Sequence, residues 1–159
     1  MIDQICLHDA LLEGAKEVFE TMVFMDIEES LETDQDIENW ALLGSITFKG
    51  GMEGCLSFCS NVSCAKAIAS NMLGLDANKE PSEEDVCDAI GEIANMLMGS
   101  VKARILDKFE TLEVSIPSVV SGRKLENNLG DGANKILVKL NIEDKHVAEL
   151  SLLYRENTK

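Results

Sequence analysis

The stretch "DANKEPSEEDVCDAIGEIANMLMGSVKARILDKF", residues 76–109, most constrains what this chain can fold into. Val86, Ile90, Ile93, Leu97 and Val101 recur in it at helical spacing. An α-helix turns about 100° per residue, so these five cluster on one side. Pro81 and Ser82 stand at the start, followed by Glu83, Glu84 and Asp85. Carboxylates there face the positive end of a helix dipole. Lys102, Arg104 and Lys108 lie toward the other end, again with the favourable sign. The stretch predicts a long helix with a well-defined core face, and such a face must be buried against another layer of structure.

The flanking sequence supplies that layer. From about Leu11 to Met25, Leu11, Ala15, Val18, Phe19 and Met22 follow helical spacing. The acidic segment "DIEESLETDQDIENW" reads as an exposed connection. "ALLGSITFKG" and "GCLSFCS" read as short strands, and the glycines of "KGGMEG" between them suit a hairpin. "SCAKAIASNMLG" predicts a short helix with Ser63 as its cap and Gly74 as its stop. Beyond the long helix comes "TLEVSIPSVVSG", then "NKILVKLNI" and "HVAELSLLYRE", which alternate apolar and polar residues as strands do. "NIEDKH" is a hairpin turn and "NNLGDGAN" a looser loop. Strands joined through short loops favour antiparallel pairing. The expected class is α+β, a mainly antiparallel sheet with long helices packed on it, and 159 residues fit a single domain spanning 1–159.

Composition removes several function classes. A formal net charge of −15 repels phosphate backbones and anionic membrane surfaces, so neither nucleic acid nor membrane is an expected partner. No apolar run approaches the length needed to span a bilayer. The opening "MIDQICLHDALLEG" is acidic and lacks a continuous apolar region, so no signal peptide is expected and a cytoplasmic protein is. The five cysteines Cys6, Cys55, Cys59, Cys64 and Cys87 are then expected as free, buried thiols. "CLSFCSNVSC" lacks zinc-type pairs, His8 and His146 stand far apart, and no metal site is expected. No serine or cysteine sits in a nucleophile motif such as GxSxG, and neither a Rossmann fingerprint nor a P-loop occurs.

One face of the long helix remains. Taking Asp88 as zero, Glu92 lies near 40°, Asn95 near −20° and Gly99 near 20°, about opposite the apolar cluster. Polar residues are ordinary on a helix face turned away from a core, and spacing alone favours a solvated surface. Two members are less ordinary. Asn95 is a weaker helix former than Glu, Lys or Gln, and a glycine inside a helix costs roughly 1 kcal/mol against alanine. Gly99 would admit a partner close to the helix backbone, or serve helix packing. Met98 falls to the core, while Met96 can stand partly exposed and touch a partner. A faint internal echo also appears: Glu13, Glu17 and Glu20 in "EGAKEVFETM" repeat the spacing of Asp88, Glu92 and Asn95.

"DAIGEIANMLMG" resembles the signature of the CheC/CheX/FliY phosphatases of bacterial chemotaxis. That signature is an Asp or Ser, three residues, Glu, two residues, Asn, and a Pro some twenty residues later. Asp88, Glu92 and Asn95 match it, and Pro117 in "SIPSVVSG" takes the proline place. "GGMEGCLSFCSNVSCAKAIASNMLG" is similar to the central strand and helix of CheX-like domains, and the resemblance covers most of the chain. It implies a pseudo-repeated CheC/CheX-like fold. CheC-type members carry the motif twice and CheX-type members keep one good copy. Here Glu20 stands where the asparagine of the first copy should be, which points to the CheX type.

The resemblance implies a phosphatase for the aspartyl-phosphate of a CheY-like response regulator. Asn95 would orient the attacking water and Glu92 would dock to a lysine of the regulator. Asp88, Met96 and Gly99 would contact that partner, and Pro117 would shape the strand after the helix. Mg²⁺ would be held by the regulator, leaving this chain without a cofactor of its own. A homodimer is implied as well. The alternative is a non-catalytic CheX-like domain that recognises a receiver or a flagellar-switch protein. A small-molecule sensor with a cleft between helices is a third class, and no residue pattern specifically supports it.

Overall fold

The computed structural model describes residues 3–31, 37, 40–105, 111–123 and 132–157. In chain order the elements are α1 (Gln4–Val18), a π-helical turn (Phe19–Val23), β1 (Ile27–Glu29), β2 (Ala41–Gly50), β3 (Met52–Asn61) and α2 (Val62–Leu73). Then come α3 (Glu83–Ile105), β4 (Leu112–Val114), β5 (Ser118–Gly122), β6 (Asn134–Ile142) and β7 (His146–Glu156). The strands form one sheet in the order β1-β6-β7-β3-β2-β4, with β5 also on β2, and every pairing is antiparallel. The α+β class follows directly.

α3 begins at a reciprocal cap. The Asp85 N–H donates to Ser82 Oγ at 3.1 Å, and the Ser82 N–H donates to Asp85 Oδ2 at 3.2 Å. Two amides that the first helical turn leaves unpaired are thereby satisfied. The expected core face is buried: Val86 is 4% exposed, and Ile90, Ile93, Leu97 and Val101 are 0% exposed. Burying each such side chain stabilises the fold by roughly 1.5–3 kcal/mol, so this helix is held by its face and not by propensity. Opposite it, Ile46, Phe48, Leu56, Phe58, Leu150 and Leu152 supply the core side of β2, β3 and β7.

Local details depart from the sequence reading at several points. The first helix starts at Gln4, not near Leu11, because Asp3 caps it by accepting from the Ile5 N–H at 3.0 Å. Its last turn widens to a π-helix and stops at Phe24, which adopts φ 60°. α2 is capped by Asn61, which accepts from the Cys64 N–H at 2.8 Å, and not by Ser63. Gly74 closes α2 at φ 65° as expected. The acidic connection contributes β1, three residues paired to β6. Glu143 and Asp144 at φ 56° and 52° make the β6–β7 hairpin a turn of the I′ kind, closed by Lys145 N–H on the Ile142 carbonyl at 3.1 Å. Lys108 and most of "NNLGDGAN" lie outside the described residues.

β4 and β5 are two pieces of one edge strand. Val114 pairs with Phe48 and Ser118 with Ser45, so four steps on this edge span only three on β2. The extra residue is a β-bulge at Ser115–Ile116, opposite Thr47. It is pinned from both sides: Ser115 N–H donates to the Thr47 carbonyl at 2.9 Å, and Thr47 N–H donates to Ser115 Oγ at 3.0 Å. A bulge and Pro117 together leave this edge a poor template for further strand pairing.

Candidate functional site

The sheet sets α3 by close backbone approach. A Cβ built at Gly44 of β2 would fall 2.8 Å from both Cγ2 and the carbonyl oxygen of Ile90, so only glycine lets the helix sit this near the strand. On its flank α3 meets α1, where Gly14 admits Ser100: a Cβ at position 14 would stand 3.3 Å from Ser100 Oγ. A third contact comes from the bulged edge. Pro117 and Val119 lie over Gly91, next to the polar stripe on the helix surface.

With the core face fixed, the opposite face must point outward. Asp88, Glu92, Asn95 and Gly99 are all exposed, and at about 1.5 Å rise per residue they line some 16 Å of helix. Met96 is half-buried and packs on the core edge beside them, while Met98 is 1% exposed. Pro117 is half-buried on the other flank. All six candidate residues therefore gather on or beside one surface of α3. Among the described residues, none reaches the side chains of Asp88, Glu92 or Asn95 with a hydrogen bond or ion pair. Among the described residues, a Cβ at Gly99 would meet nothing within 4 Å, so packing against them does not account for that glycine.

The echo in α1 is used differently. Glu17, the counterpart of Glu92, accepts from Arg104 Nη2 at 2.9 Å and from Ser100 Oγ at 3.3 Å. The Arg104 guanidinium, by hydrogen bond and charge, holds the Glu17 carboxyl below its ordinary value, and Ser100 adds to this. Glu13 pairs with Lys16 at 3.7 Å. Glu20 falls in the π-helical turn, where the wider turn breaks the register of the echo. It lines an open cleft with Lys16, Phe24, Met25, Asp26 and Ile27, none of which belongs to the stripe. The first copy thus fastens α1 to α3 through Glu17. Its residue spacing matched, but only the packing of two distant segments reveals that role.

The thiols divide in a way the composition did not predict. Cys55, Cys59 and Cys64 are buried, but Cys87 is exposed, because it lies on α3 between the core face and the stripe. Burial pushes the Cys59 thiol up to about 11 and the Cys64 thiol up to about 12. Both stay protonated and unreactive near neutrality. Among the described residues no three His, Cys, Asp or Glu side chains converge as metal ligands. None of the helices there is long and apolar enough to cross a membrane.

The stripe is built for contact more than for covalent work. It offers two carboxylates, one amide and an open stretch of backbone on a rigid helix. An amide can hold water through its oxygen or its hydrogens without acting as a base. A carboxylate without a partner of its own can accept an incoming cation.

Residues 42–141 match the family model described as Chemotaxis phosphatase CheX. The CheY-P phosphatase CheX of Thermotoga maritima is 31% identical over 87 residues, covering 54% of this chain and 55% of that protein. The matched region thus spans about half the length of that relative. Among solved structures, chemotaxis protein CheX from Vibrio vulnificus superposes with a TM-score of 0.76 at 24% identity, covering 94% of this chain and 96% of that one. A chain of the CheX–CheY–BeF3–Mg²⁺ complex from Borrelia burgdorferi superposes at 0.71 with 18% identity, covering 98% and 100%. With the fold shared along nearly the whole chain and the family model matching residues 42–141, the chain belongs to the chemotaxis phosphatase CheX family.

Proposed function

We propose that this protein dephosphorylates the aspartyl-phosphate of a CheY-like response regulator in chemotaxis or related two-component signalling. The observation that carries this reading is the exposed Asp88–Glu92–Asn95 stripe, which no described residue engages by hydrogen bond or ion pair, in a chain of the CheX family. An acyl phosphate is already reactive, so a catalyst needs mainly to place a water in line with the P–O bond. Asn95 enters the regulator's site and orients that water. Glu92 pairs with a lysine of the regulator and sets the docking angle. Asp88, Met96 and Gly99 complete the contact, and Pro117 holds the flank. Mg²⁺ stays on the regulator's own carboxylates, and no acid–base residue of this chain is required.

The test is phosphate release from a phosphorylated receiver of the same cell. Asn95→Ala should return the rate to the receiver's own, a loss on the order of 10²-fold for misplacing the water. Unchanged acceleration would sink the mechanism. Tight binding that leaves the phosphate lifetime unaltered would instead identify a recognition domain.

The same reading has residues 1–159 act as one CheX-like domain, in the cytoplasm and as a homodimer. A light-scattering mass near 17.4 kDa at working concentration would count against the dimer.

A further inference from the structure

The geometry of α3 gives the exposed stripe one more member. At about 100° per residue, Lys102 falls near −40° from Asp88, about 20° from Asn95 and two turns beyond it. Arg104, the other cation in the last turn, lies near 160° on the same scale and is committed to Glu17 at 2.9 Å. Among the described residues of α3, Lys102 is therefore the one cation on the stripe's side, and no described carboxylate pairs with it. A cation in the last turn suits the helix dipole wherever it stands around the axis. The dipole does not explain why this one shares the face of Asn95.

Gly99 lies between the two. Every Cα–Cβ bond of a helix tilts toward the helix N-terminus, so the Lys102 stem sets out toward Gly99 and Asn95. No described residue comes within 4 Å of a Cβ built at Gly99, and that path is open. Asn95 and Lys102 are separated by about 10.5 Å of helix rise. A lysine stem reaches about 6 Å, which brings its ammonium within about 5 Å of the level of Asn95. One phosphoryl group fits that interval. An aspartyl-phosphate would bring its negative charge to a chain whose own net charge is −15. Glu84, Asp88 and Glu92 line the stripe on the N-terminal side of Asn95. A phosphoryl group beside Asn95 meets like charge on that side and a cation only on the other.

We infer that Lys102 contacts the phosphoryl oxygens of the receiver's aspartyl-phosphate, and that Gly99 keeps its path to Asn95 clear. This rests on the proposed phosphatase reading and deepens it. A lysine ammonium is a point charge with three donors on a flexible stem, which suits oxygens that shift as the P–O bond lengthens. The stripe then has two arms about Asn95. The carboxylate arm meets cationic surface of the receiver, and Lys102 tells the phosphorylated receiver from the unphosphorylated one.

The experiment measures binding of the full chain to a receiver from the same cell, with and without beryllofluoride, alongside steady-state dephosphorylation of the phosphorylated receiver. Lys102→Met removes the charge and keeps the stem, and Lys102→Arg keeps the charge. Lys102→Met should weaken binding of the beryllofluoride-loaded receiver about tenfold and raise KM as much, the loss of one charge-assisted contact. Its affinity for the unloaded receiver should stay within about twofold. Lys102→Arg should recover most of the loss. Lys135→Met, which removes an exposed cation from β6, controls for net charge and should change neither. An active parent with a Lys102→Met variant of equal KM overturns the contact and leaves the phosphatase reading intact; a lowered thermal midpoint in that variant would assign the lysine to the helix dipole. Equal weakening toward loaded and unloaded receiver also overturns it, by making Lys102 a general docking charge. A parent that neither binds nor dephosphorylates any receiver removes both readings.

Discussion

Pro117 lies against Gly91: a Cβ built at position 91 would stand 3.8 Å from the proline Cγ and 3.4 Å from Val119 Cγ2. The proline that follows Asn95 by some twenty residues in the sequence pattern is thus a neighbour of the helix in space. It holds the bulged edge strand beside the exposed stripe.

The size of residue 91 sets that contact. Ordinary van der Waals room exists for one methyl, and alanine is a better helix former than glycine by about 1 kcal/mol. Gly91→Ala should keep or raise the thermal midpoint. Gly91→Leu should push Pro117 off the helix and destabilise the protein by roughly 1–3 kcal/mol, as overpacking does. Denaturant titration of the two variants separates the cases, and under the proposed function the larger side chain should also raise KM for a phosphorylated receiver.

Gly99 separates folding from contact. No described residue comes within 4 Å of a Cβ built there, so Gly99→Ala should stabilise the isolated chain by up to about 1 kcal/mol. If a partner's surface approaches the helix backbone there, the same methyl should raise KM for the phosphorylated receiver. A variant that is more stable and binds as well as the parent would show that the glycine gives no clearance.

The Glu17–Arg104 tie has a definite pH signature. The folded state lowers the Glu17 value below 4.5, so the stabilisation is present above that pH and is lost as pH falls through the lowered value. A carboxyl-observed NMR titration should find Glu17 changing charge below its ordinary range. Arg104→Met should return it upward, since that guanidinium is the main cause. The stripe residues are not involved, and the proposed phosphatase activity near neutrality should change little.

His146 opens β7 at 8% exposure, paired with Ile142 across the hairpin. Burial, with the charge of Lys145 next to it, lowers its value from 6.5. The unfolded chain therefore binds a proton in a range where the folded chain does not, and stability should decline as pH falls below about 6.5. Urea midpoints measured at pH 7.5 and 5.5 should show that decline. His146→Gln should flatten it, and an unchanged slope would remove this histidine as the cause.

The sequence by itself determined the elements whose causes are local. Val86 to Val101 at helical spacing, the capping residues Ser82 and Asp85, and the alternation of β6 and β7 follow from neighbours a few residues apart. The outward direction of Asp88, Glu92 and Asn95 also follows, because a helix with one buried face has only one other to expose. The tertiary structure decided everything that depends on register between distant segments. It turned Glu17 from an echo of Glu92 into the partner of Arg104, 87 residues away. It left Cys87 exposed where composition favoured burial, and it moved the cap of α2 from Ser63 to Asn61. The bulge that ejects Ile116 exists only as a mismatch of count between two paired strands. No property of Ser115 or Ile116 encodes it alone, since a bulge is defined by the strand opposite.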